Sequence, residues 1–119
     1  MTNALKILSQ GEMLNIPKTL IQAIGLEEAI VLTDIASDYE YWESRELAED
    51  GWIYPTRQEF EERTHFTREK QKRILDRLVK RNLITVENYR FIGGGHPSKR
   101  FIKINEKELE KLFLWNKER

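Results

Sequence analysis

Cysteine is absent from all 119 residues, which excludes disulfides, thiolate chemistry and cysteine-based zinc sites together. The two histidines, His65 and His96, are far apart and stand in no H-E-x-x-H pattern or carboxylate cluster, so no metal is expected. Proline and glycine are scarce, at three and six, and no internal repeat or low-complexity tract occurs. No run approaches the ~18 apolar residues that cross a bilayer. The opening MTNALKILSQGEM has no basic segment followed by a long apolar stretch, so it does not read as a secretory signal. A cytoplasmic protein of one domain with one core, spanning residues 1–119, is therefore expected.

Enzyme signatures are missing too. The run Gly93–Gly95 lacks a G-K-[ST] ending and precedes an expected strand, not a helix, so it reads as a flexible tip and not as a nucleotide loop. Glu46, Glu49, Asp50, Glu61 and Glu62 have no identifiable partner base and read as solvating groups. Neither an enzyme nor a cofactor is expected.

Net charge is zero, yet its distribution is uneven. From Leu26 to Glu62 twelve acids stand against Arg45 and Arg57, a net of −10. From Arg63 to Arg100 eleven Lys or Arg stand against Glu69, Asp76 and Glu87, a net of +8. Such asymmetry points to nucleic-acid contact.

Periodicity and capping predict the elements. Short strands are expected at Leu5–Leu8 and around Met13–Ile16, then a helix from Pro17 over Lys18–Ile24 that stops at Gly25. A helix from Glu27 to about Trp42 turns Ala29, Ile30, Thr33, Ile35, Ala36 and Tyr39 to one face. Trp52–Tyr54 reads as a brief strand. Thr56, with Glu59 three residues on, caps a helix over Arg57–Arg63, with Phe60 as its inward anchor. Thr67 caps a second helix over Arg68–Arg81, whose inner stripe is Gln71, Ile74, Leu75 and Leu78. Asn82 ends that helix in the left-handed conformation. Strands at Leu83–Phe91 and Arg100–Asn105 enclose the glycine-rich tip, the second with Ile102 and Ile104 on one face. A last helix runs from Glu106 to about Trp115. The fold class is α+β: a helix pair at 56–81, a hairpin at 83–105 and a C-terminal helix at 106–116.

These residues resemble a family. GLEEA at the opening of the long helix, GWIY before the helix pair, QEFEERT, and FTREKQKRILDRLVKRNLI followed by RFIKIN are similar to the winged-helix domains of phage and plasmid replication proteins. That group includes the N-terminal domains of replisome organisers and, more distantly, the DnaD-type primosome proteins of Gram-positive bacteria. The match runs from about Ile16 to Asn105. It implies a winged helix-turn-helix with a flanking N-terminal segment and an extra C-terminal helix, and a non-enzymatic protein in a bacterial cell or phage-infected host. It further implies sequence-specific or structure-specific binding of double-stranded DNA in replication initiation, alongside a replication protein partner.

A helix reads duplex DNA through the residues near its N-terminus, here Arg68, Lys70, Gln71 and Lys72. Arg pairs with guanine and Gln with adenine, although Gln71 also borders the apolar stripe and is equally suited to covering the core. Arg73, Arg77 and Lys80 lie further along, where phosphate contacts position a protein without reading sequence. His96, Lys99 and Arg100 stand on the flexible hairpin tip, able to touch the DNA backbone or an adjacent minor groove, and the backbone N–H groups at Thr56 and Thr67 suit phosphates. Tyr39, Trp42 and Trp115 are candidates for a partner surface, with a core role as the alternative; the last helix either folds back on the domain or builds a homodimer. Two other functions fit the same residues: a transcriptional repressor on the same fold, and an adaptor without DNA affinity whose acidic segment docks a basic partner.

Overall fold

The computed structural model describes residues 3–4, 14–46, 50–88 and 100–117, with side chains described as far as residue 114. Within them the chain is an α+β fold of five helices and a small three-stranded antiparallel sheet. In chain order these are α1 (Lys18–Ile24), α2 (Leu26–Ser44), β1 (Trp52–Ile53), α3 (Arg57–Thr64), α4 (Arg68–Lys80), β2 (Ile84–Glu87), β3 (Phe101–Ile104) and α5 (Glu106–Lys117). The expected strand at Leu5–Leu8 lies outside the described residues, and Leu14–Ile16 takes no regular structure. No helix among the described residues is long and apolar enough to cross a membrane.

A single residue separates α1 from α2. Gly25 has φ +97, and its N–H reaches the Ile21 carbonyl at 2.8 Å while its carbonyl accepts from Ala29 at 3.0 Å. A side chain at that φ would be strained, and its Cβ would stand 3.1 Å from a Glu28 carboxylate oxygen.

Helix α2 buries Ala29, Val31, Leu32, Asp34 and Ile35, a broader set than one stripe. It packs against α1, α3, α4 and β1, so a single apolar face does not describe it. Ile30 and Ala36, expected at the centre of that face, are only half-buried.

The helix pair follows its caps. Thr56 Oγ1 accepts from Glu59 N at 3.0 Å and Thr67 Oγ1 accepts from Lys70 N at 3.3 Å. His65 ends α3 at φ 61, in the left-handed region. The buried stripe of α4 is Gln71, Ile74, Leu75 and Leu78. Asn82, at φ 61, lets Leu83 N reach the Leu78 carbonyl at 3.0 Å, closing the helix as a left-handed residue does. Asn105 secures this corner by donating from Nδ2 to the Asn82 carbonyl at 2.7 Å.

Strand β3 lies between β1 and β2, pairing Ile53 with Ile102 on one side and Val86 with Ile102 on the other. Phe101 and Ile102 are both buried, because Phe101 is covered by the Tyr54 ring, 5.4 Å between centroids, while Ile102 faces the main core. Strict alternation therefore fails here. Fully buried Leu32, Ile35, Ile53, Phe60, Ile74, Leu78, Ile84 and Ile102 join α2, α3, α4 and the sheet into one core. Each such side chain contributes about 1.5–3 kcal/mol relative to exposure. Helix α5 folds back on α1, with Leu109, Leu112 and Phe113 against the core.

Candidate functional site

Helices α3 and α4 are fixed to each other by Gln71. Its side chain has no exposure, and its amide donates to the Arg57 carbonyl at 3.2 Å and the Phe66 carbonyl at 3.0 Å. The amide thus ties the first turn of α3 to the turn between the helices. This corrects Gln71 as a base-reading residue: its Nε2 donates internally, and the side chain has no exposure through which to reach a ligand.

The cations of α4 fall into two groups. On the flank facing α2, Lys70 pairs with Glu27 and Arg77 pairs with Glu28 at 3.1 Å. Lys70 also lies over the Phe66 ring at 5.1 Å. The Lys70 hydrogen bond and the nearby Arg77 and Arg73 charges hold the Glu27 carboxyl below its usual range, against a smaller opposing effect of burial. Lys70 and Arg77 therefore carry intramolecular partners that the sequence pattern does not reveal. Arg68, Lys72, Arg73 and Lys80 are exposed and form no ion pair among the described residues.

Arg68 and Lys72 border a groove of about 560 Å³ between α4, the start of α3 and strand β2, where Arg57 and Arg100 also line the wall. Glu69 and Asp76 are its carboxylates, and Leu75 and Val86 supply apolar surface. Four cations against two acids leave the groove positive. Arg100 is 6% exposed, so it is not the flexible contact expected of a hairpin residue. Its guanidinium lies over the Phe60 ring at 5.8 Å. Burial, with the Arg57 charge adding to it, pushes the Arg100 pKa down to about 10, which leaves it a cation at neutral pH.

A second charged cluster was not anticipated. Arg63 Nε donates to both Asp34 oxygens at 3.1 Å, and its Nη2 lies 3.6 Å from Asp38. Burial, helped by the Asp34 and Glu59 charges, raises the Asp38 carboxyl above the ordinary aspartate range, although Arg63 and the Trp42 hydrogen bond oppose it. An acid four residues from another on a helix otherwise treated as apolar was the available signal. Together with Lys70 and Arg77, Arg63 neutralises part of the acidic segment internally. The charge asymmetry of the chain thus exceeds that of the folded surface.

The aromatic candidates also sort differently. Trp42 bonds Asp38 and meets the Tyr54 ring edge-on at 4.4 Å. The Tyr39 hydroxyl bonds Glu43, which together with burial pushes it up to about 12. Both side chains are half-buried and partnered. The exposed aromatic of α2 is Tyr41, at 53%, with the Arg45 guanidinium 4.5 Å over its ring.

Thr56 and Thr67 are exposed at the two helix starts. His96, Lys99 and the Trp115 side chain lie outside the described residues. Among the described residues no group of three or more His, Asp or Glu is placed to hold a metal ion. The chain matches no protein-family model, no curated protein and no solved structure in comparisons with each.

Proposed function

We propose that this chain is a non-enzymatic, winged-helix protein that binds double-stranded DNA through α4, with α3–α4 as the helix-turn-helix and β2–β3 as the base of the wing. The observation that carries the reading is the exposed set Arg68, Lys72, Arg73 and Lys80, unpaired among the described residues while their neighbours Lys70 and Arg77 are paired. A helix of 13 residues capped by Thr67 fits a major groove, and Arg68 and Lys72 near its start are at the end that reaches base edges. Arg73 and Lys80 suit flanking phosphates. The antiparallel order β1-β3-β2 and the helix pair locked by Gln71 support the fold assignment.

Replication initiation in a phage or mobile element is the role implied by the resemblance of GLEEA, GWIY and the α4 segment to replication proteins. A repressor would use the same surface on a short palindrome, with a homodimer reading two symmetric half-sites. Fluorescence polarisation with a mixed pool of short duplexes across a salt series tests the reading. We expect binding with a log–log salt slope of several units; no binding near ~50 mM salt would overturn it and favour an adaptor working through Tyr41 and the acids around it.

A further inference from the structure

Arg100 is the polar group for which the fold supplies least. Ninety-four per cent of it is removed from solvent, yet Nε and Nη2 are buried and find no hydrogen-bond partner among the described residues. Burying an unpaired cation is costly, and buried arginines ordinarily meet a carboxylate. Three carboxylates line the two recesses that Arg100 borders, Glu69 and Asp76 in the groove and Glu59 in the adjoining recess of about 410 Å³. None of them bonds it. The charge that does reach it is another cation, Arg57, which lines both recesses with it. Two arginines that repel each other across a shared wall, one of them with idle donors, are complementary to an anion with several oxygens. A guanidinium fork fits two oxygens of a tetrahedral phosphate at once.

We propose that the groove between α4 and β2 is a phosphate site, with the Arg100 fork as its floor, Arg57 as the second cation and Arg68 and Lys72 at its mouth. The source of the phosphate rests on the DNA reading: a single backbone phosphodiester seats there and fixes the register of α4 on the duplex. The site itself requires only the phosphate chemistry.

Thermal unfolding of the full chain, with inorganic phosphate against sodium chloride of equal ionic strength, tests the site without DNA. Phosphate at a few-fold excess over its Kd should raise the wild-type Tm by about 2–5 °C. Arg100→Gln should unfold at or above the wild-type Tm in chloride, because it removes an unpaired buried charge, and should lose the phosphate gain. Arg57→Gln, at a less buried position, should lose most of that gain and guards against a folding defect at Arg100. An equal gain in wild type and both variants, the general effect of an excluded salt, would overturn the site, as would no gain in wild type. Duplex binding by the same proteins separates the two readings. A loss of ~10-fold in Arg100→Gln, with inorganic phosphate competing, supports a backbone phosphate. A phosphate gain that needs Arg100 in a protein that binds no duplex keeps the site and removes the DNA reading. Duplex binding equal in wild type and Arg100→Gln overturns the backbone assignment while leaving DNA binding intact.

Discussion

The two flanks of α4 carry the same residue types and differ in what they meet. Toward α2, Lys70 and Arg77 face Glu27 and Glu28. Toward the hairpin, Arg68 and Lys72 face a groove whose deeper residues are Arg57 and Arg100. The first flank uses charge to join helices; the second sets four cations against Glu69 and Asp76 and stays net positive. A cation count along α4 treats the two alike. Only the position of each residue around the helix, and the sign of what packs beside it, separates them.

The largest expected effect belongs to the exposed cations of α4 that form no ion pair among the described residues. Replacing Arg68, Lys72 and Arg73 together by Ala should lower duplex affinity by ~100-fold at moderate salt, read by fluorescence polarisation, with Tm nearly unchanged because these side chains are exposed. Next is the joint between the helices. Gln71→Leu removes both donors to the Arg57 and Phe66 carbonyls and should cost about 1–3 kcal/mol in a denaturant titration. Asp34→Asn, which weakens the two bonds from Arg63 Nε, should cost about 1–2 kcal/mol, since Arg63 is partly solvated and keeps Asp38 nearby. Smaller again is Asp38→Asn. A carboxyl whose folded pKa is raised stabilises the fold below its unfolded pKa, and that contribution is lost as pH rises through the folded value. The substitution should therefore be neutral or stabilising by less than about 1 kcal/mol at pH 7, and the advantage should vanish on acidification toward pH ~3.

Much of the fold was legible because local chemistry and tertiary packing agree. Thr56 and Thr67 behave as caps, Asn82 takes its left-handed turn, and the α4 stripe is buried residue for residue. Where several elements converge, periodicity lost its meaning: Val31 and Leu32 are buried because α2 is packed on more than one side, and Phe101 is buried because Tyr54 covers it. The site was less legible for a related reason. Gln71 sits where either a base or a carbonyl could receive its amide, and the choice is set by the carbonyls of Arg57 and Phe66. Lys70 and Arg77 read as ligand contacts until α2 brings Glu27 and Glu28 beside them. Arg100, at the hairpin base, reads as a mobile tip residue until the Phe60 ring and the groove wall enclose it.

The contrast between the flanks is tested most directly by salt titrations of duplex binding on three proteins side by side: wild type, Arg68→Ala/Lys72→Ala and Lys70→Ala/Arg77→Ala. We expect the first double variant to lower duplex affinity by ~10-fold or more across the salt series and the second to leave affinity and slope close to wild type. Equal loss in the two variants would contradict the division of α4 into a structural and a binding flank, and a larger loss in the second would invert it.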